Sequence, residues 1–203
     1  MNGIDWEGIK KSNQRLGINE RATRSKYVFR WSYTNQLDHT FYQQNTARCP
    51  MCNTEEEDQH HVQYCQDTAA SEMRDELLCI LEDNLMELKL HPGLVTLMLQ
   101  SMKARHHQKV IVDVQGHQHE LLFQNLLDSQ CAIDWDKVRL GFWSVQWKHV
   151  QANYVHERGL KQDANQWAVA SQVAVWKYVN GNWKYRNGRA HGTNIDEKKR
   201  VYR

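Results

Sequence analysis

A chain of 203 residues, 40% hydrophobic with eight Trp and two Pro, holds enough apolar material for a core, but a mean hydropathy of −0.80 makes that core thin. The formal net charge of +2 hides an uneven distribution: residues 10–30 are basic, residues 51–91 acidic, and the chain from Lys137 onward is basic again. No run of 18 apolar residues and no apolar N-terminal segment occurs, which excludes a membrane-spanning helix and leads us to expect no secretion signal. An odd count of five Cys then fits free thiols in a reducing intracellular compartment, cytoplasm or nucleus.

In chain order, Ile4–Leu16 reads as an amphipathic helix with Ile4, Gly8, Ile9 and Leu16 inward, ended by Gly17. Asn19 is placed to cap a second helix, from about Glu20 to Thr34, with Ala22, Val28 and Trp31 buried and Arg21, Arg24 and Lys26 on its wet side. Tyr27, Phe29 and Tyr33 alternate with these cations. They have two uses, packing against the module that follows or stacking on bases, and packing is the commoner fate of aromatics.

That module carries the chemical signature of the chain. Cys49-x2-Cys52 is followed, after eight residues, by His61-x3-Cys65. Two thiolates two residues apart face one ion from a tight turn, and an x3 spacing puts His61 and Cys65 one turn apart on a short helix. Three soft sulfurs and an imidazole suit a closed, tetrahedral, structural zinc, with no position left for a catalytic water. His60, adjacent, is an alternative ligand at x4 spacing. The four carboxylates Glu55, Glu56, Glu57 and Asp58 between the ligand pairs read as a solvated loop.

Beyond the module, Asp67 or Thr68 caps a helix running to about Lys89, with Leu77, Leu78, Leu81, Leu85 and Leu88 as its stripe. Pro92 opens the next, carrying Leu94, Val95, Met98, Leu99 and Met102. Val110-Ile111-Val112 is a short strand candidate. Helices are predicted at 118–129, 135–141, 144–158 and 163–187, with Asp134 and Ser144 as N-caps. Trp143 and Trp147, facing Val169, Val173, Trp176 and Trp183, suggest the seam of a helical hairpin. The expected fold is mostly α: a helical bundle built of hairpins with a small Cys3His zinc module near the N-terminus. Residues 1–90 would form the N-terminal helices and zinc-binding module, 91–192 a helical tail packed on it, and 193–203 a basic tail without order.

Ile4-Asp5-Trp6-Glu7, then Tyr27-Val28-Phe29-Arg30-Trp31, then Cys49-Pro50-x-Cys52 and His61-Val62-x2-Cys65, resemble the zinc-binding region that follows the polymerase domain in non-LTR retrotransposon reverse transcriptases. Trp135, Leu140-Gly141 with Trp143, and Trp183-x2-Arg186-Asn187-Gly188-x2-His191-Gly192 look like the helical tail found after that finger. Only the finger motif is specific. The Tyr-x-Asp-Asp polymerase motif is missing, as is the Pro-Asp…Asp/Glu…Lys set of the endonuclease that follows the finger in some such elements. The resemblance therefore implies the accessory region without either enzyme.

No Gly-x-Ser-x-Gly, phosphate loop, dinucleotide fingerprint or His-Glu-x-x-His occurs, so a non-enzyme is expected. The leading function is a zinc-dependent accessory module that contacts the phosphate backbone of RNA or DNA through Arg21, Arg24, Lys26, Arg30 and Arg48. The alternative is a structural or protein-interaction zinc module that binds no nucleic acid, its acidic middle paired with its basic ends.

Overall fold

The computed structural model describes residues 3–43, 46–103 and 120–192, with Ala164 described by its backbone alone. In chain order the helices are α1 (Trp6–Arg15), α2 (Ile18–Val28), α3 (Asn35–Tyr42), α4 (Gln59–Tyr64), α5 (Thr68–Glu87), α6 (Pro92–Lys103), α7 (Glu120–Ile133), a 3-10 helix (Trp135–Leu140), α8 (Gln146–Glu157) and α9 (Ala164–His191). Among the described residues there is no strand, only the isolated antiparallel bridges Ile4–Ser144 and Arg48–Glu56. The fold is mostly α, with the Cys3His group in its N-terminal half. None of the described helices is long and apolar enough to cross a membrane. The strand expected at 110–112 and the tail at 193–203 lie outside the described residues.

The helices fall into two compact units, Met1–Arg21 with Ile80–Trp176, and Ala22–Cys79 with Lys177–Arg203. In the first, α7 packs on α8 and on the 3-10 helix, and α6 packs on the 3-10 helix. Trp135, Trp143, Trp147, Trp167 and Trp176 are all buried here, with the Trp143 and Trp147 rings 5.4 Å apart. One polar residue in this core, Gln130, is matched atom for atom. Gln130 accepts from the Ser144 amide at 2.9 Å and the Trp147 indole at 3.0 Å, and donates to the carbonyls of Asp134 and Phe142, both at 3.2 Å. That uses its full donor and acceptor capacity, which is why an amide is tolerated there. Arg139 donates to the carbonyls of Ser101 (2.7 Å) and Met102 (2.9 Å) in the last described turn of α6. On α1 the buried side is Gly8, Ser12 and the following Leu16, with Ile4 and Ile9 only half-buried. Ser12 takes an inward place that hydrophobicity does not predict because its hydroxyl donates to Gln172 at 2.9 Å.

In the second unit the helix expected to run from Glu20 to Thr34 stops at Val28. Trp31 N–H donates to the Lys26 carbonyl (2.7 Å) and Arg30 N–H to the Tyr27 carbonyl (3.2 Å), the bond pair of a Schellman stop, with Arg30 left-handed at φ 57°. A new helix, α3, begins at Asn35 with the Thr34 hydroxyl accepting from Leu37 N–H at 3.3 Å. This break corrects the expected faces. Trp31 belongs to the turn and is 70% exposed, Ala22 is exposed, and the inward positions are Arg24 and Tyr27, three residues apart. Phe29 and Tyr33, expected to pack on the metal module, are also exposed.

Asp67 caps α5 through Ala70 N–H at 3.0 Å, as expected. Further along α5, a Cβ on Gly181 of α9 would stand 2.9 Å from both methyl carbons of Leu77, so the leucine side chain packs directly on the glycine. The second unit's part of α9 buries Tyr178, Val179, Asn180, Asn182 and Arg186 on several sides. This burial on several sides goes beyond the single face of Val169, Val173, Trp176 and Trp183 expected from sequence. Trp183, expected in the hairpin seam with Trp176, is half-buried, and the Arg186 guanidinium lies over its ring at 5.5 Å.

Candidate metal centre

The turn after Arg48 is built by its own backbone. Cys49 N–H donates to the Glu55 carbonyl (2.8 Å), Asn53 N–H to the Cys49 carbonyl (2.9 Å), and Glu57 N–H to the Ala47 carbonyl (2.8 Å). Asn53, at φ 54°, takes the left-handed position that the turn requires, a conformation Asn tolerates better than most residues. This knuckle points Cys49 and Cys52 the same way. Asp58 then caps α4, its carboxylate accepting from His61 N–H at 2.6 Å, and α4 delivers His61 while Cys65 stands at its C-cap.

The four ligand atoms of Cys49, Cys52, His61 and Cys65 all lie within 4.8 Å of one another. Cys49 Sγ and Cys65 Sγ are 3.7 Å apart, and Cys52 Sγ is 3.4 Å from His61 Nε2. A tetrahedral centre with metal–sulfur bonds of about 2.3 Å and metal–nitrogen bonds of about 2.0–2.1 Å has S–S edges of about 3.8 Å and S–N edges of about 3.5 Å. These two edges fit those dimensions. The sulfur separation is also far beyond the roughly 2.05 Å of a disulfide, and all three thiols are free. Of the two adjacent histidines, His61 faces the sulfurs, while the His60 ring stacks on Tyr64 with centroids 6.0 Å apart.

Burial pushes the Cys49 thiol up to about 12 and also raises Cys65. Burial acts to raise Cys52 too, but hydrogen bonds from the Thr54 side chain and from the Glu55 and Thr54 backbone outweigh it and bring this thiol down to about 6. Of the three thiols, Cys52 is the one brought toward the thiolate, and a bound cation's own charge would favour the thiolate at the buried pair.

The acidic loop is only in part the solvated run expected from sequence: Glu55 and Glu56 are exposed, Asp58 is half-buried and Glu57 is buried. Glu55 Oε2 lies 3.2 Å from His61 Nδ1. With Nε2 turned to the sulfurs as the ligand atom, Nδ1 carries the proton and donates to Glu55, which fixes tautomer and ring angle. Asp58 is the cap just described. Glu57 is fully buried: its carboxylate accepts from Arg186 Nε (2.6 Å), from Arg186 Nη2, and from Asn35 N–H (2.8 Å). Arg186 also donates to the side-chain oxygen of Asn35 at 3.0 Å, and Asn35 Nδ2 donates to the Arg48 carbonyl at 2.7 Å. One buried ion pair thus ties α9, the start of α3 and the knuckle together. Of these three roles only the Asp58 cap had a sequence signal, an Asp immediately before a short helix.

Replacing Glu55 with Ala is expected to weaken metal affinity about tenfold, the low end of the 10- to 100-fold range for such outer partners, because this carboxylate is largely exposed. Competition against a chelator at fixed pH measures it. Unchanged affinity would mean that the His61 ring is held by packing alone.

The five cations expected to touch phosphate do not share one environment. Arg24 is 4% exposed, and burial lowers its pKa to about 10, so its place in the contact set is corrected to a packed side chain within the second unit. Arg21 is exposed and belongs to the first unit, whereas Lys26, Arg30 and Arg48 are exposed in the second. Comparison with protein families, with curated proteins and with solved structures finds no match to this chain.

Proposed function

We propose that the chain is a zinc-binding, non-catalytic module that contacts nucleic-acid backbone, similar to the accessory region after the polymerase in non-LTR retrotransposon reverse transcriptases and used in a reducing compartment. The observation that carries the metal part is the converging Cys3His set, whose edges suit a tetrahedral ion. Three sulfurs with one imidazole in that geometry favour zinc over hard cations, which take oxygen ligands. Four protein ligands close the shell, so the metal's role is to hold the fold.

Three thiolates and a neutral imidazole around a divalent ion leave about one net negative charge. The centre itself repels phosphate, and Glu55 and Glu56, both exposed beside it, add to the repulsion. We assign the attraction to Lys26, Arg30 and Arg48, exposed in the same unit and on the stretch that leads into the knuckle. Each phosphate contact adds about 0.7–0.9 to the slope of log affinity against log salt. Replacing Lys26, Arg30 and Arg48 together with Gln is expected to flatten that slope by about two to three units, with zinc content unchanged. An unaltered slope would sink the assignment of these residues. A parent chain that binds neither RNA nor DNA at low salt leaves the structural or protein-interaction module as the reading.

A further inference from the structure

We infer that the turn Phe29-Arg30-Trp31 is a stacking platform for the unpaired bases of a single-stranded polynucleotide, an inference that rests on the nucleic-acid role above and names its substrate. Five of the eight Trp are buried in the first unit, yet Trp31 is 70% exposed and Phe29 67%. Their ring centroids lie 6.1 Å apart with planes at 41°. Three more aromatics on the same stretch are at least half exposed: Tyr33 at 50%, Phe41 at 70% and Tyr42 at 62%. Phe29 and Trp31 are thus a neighbouring, solvent-facing pair of rings rather than single scattered surface residues.

The turn is held in place. The two Schellman bonds at its base fix it, and Arg30 keeps a left-handed backbone where glycine is the usual residue. Tyr27, one turn earlier, is buried, and its carbonyl accepts from Gln59 Nε2 at 2.7 Å. Gln59 is the first residue of α4, which carries His61, so the rings are anchored to the metal module.

Charge selects the occupant. Residues 21–37 contain four Lys or Arg and no acidic residue, and the next one, Asp38, is buried with the Tyr33 hydroxyl donating to it. The rings are thus set among exposed cations, Lys26 and Arg30 in this unit, as a polyanion requires. In a duplex the base faces are covered by their neighbours, so exposed rings gain their contacts from unpaired bases.

The test uses the full, metal-loaded chain and the anisotropy of labelled 12-nucleotide RNA and DNA, single-stranded and duplex. Single strands should bind more tightly than duplexes. The double variant Phe29→Ala/Trp31→Ala should lose about 5- to 150-fold in affinity for each base unstacked, with salt slope, zinc content and helicity as in the parent. Trp31→Phe should retain most of the binding. Arg30→Gly should lose one contact's worth of salt slope without lowering the melting temperature, since glycine relieves the left-handed strain. Duplex and single strand bound alike, with the double variant unaffected, would overturn the platform and leave backbone binding intact. No binding to any strand at low salt would overturn both. In that case, concentration-dependent self-association abolished by the double variant would assign the rings to a second copy of the chain.

Discussion

Cys65→Ser is expected to abolish stoichiometric metal binding and, with it, the ordered structure around the knuckle and α4. Cys49 and Cys65 have no exposed surface and, with Ala70, form the centre of a local core against which Met51, Cys52 and Tyr185 pack. The ligands are therefore also the hydrophobic interior of their own module. Metal affinity there is folding energy, about 10–16 kcal/mol in small zinc modules at neutral pH. That is comparable to the roughly 5–15 kcal/mol by which whole domains are stable, so the loss is not absorbed elsewhere. Metal analysis together with far-ultraviolet circular dichroism checks it, and a strong chelator should reproduce the effect in the parent. Stoichiometric zinc and normal helicity in the Cys65→Ser chain would refute the site.

The second large effect is expected at the ion pair of Glu57 and Arg186, both with no exposed surface. Removing one partner strands the other charge in a dry environment, which costs about 3–5 kcal/mol. Of the single variants Glu57→Met and Arg186→Met, the first should be the worse, because it leaves the Asn35 amide without its acceptor as well as Arg186 without its carboxylate. The double variant Glu57→Met/Arg186→Met should recover much of the loss, since replacing both charges with apolar groups of similar volume is close to neutral. Urea titration of the four proteins gives the coupling directly. Single variants within 1 kcal/mol of the parent would mean that the pair is hydrated in solution.

Much of this architecture is legible in the sequence because it rests on local rules. The leucine stripe of α5, Pro92 at the head of α6, and the cysteine and histidine spacing are signals within a few residues of what they specify. What escaped is of two kinds. The break between α2 and α3 carries no Gly or Pro: Arg30 takes the left-handed position itself, so the helical pattern seemed to continue and Trp31 was assigned to the wrong side. The other misses depend on distant partners. Glu57 looks like one more loop carboxylate until Arg186 arrives 129 residues later, and Ser12 looks wet until Gln172 meets it. Arg24 sits inward without the apolar character by which such positions are recognised.

The second unit is assembled from two separate lengths of chain, Ala22–Cys79 and Lys177–Arg203, and this sets an order of events during synthesis. The metal ligands span only 16 residues from Cys49 to Cys65, whereas Glu57 waits 129 residues for its partner. At about 5–20 residues per second, Arg186 is made roughly 6 to 26 s after Glu57. Closing the longer loop also costs about 2 kcal/mol more in chain entropy than closing the shorter one. A nascent chain thus has the means to capture its metal well before the carboxylate is neutralised. On the proposed metal reading, a loaded knuckle and an unpaired Glu57 would coexist on the ribosome for that interval, and the ion bound at that stage would hold the place where the last helix docks.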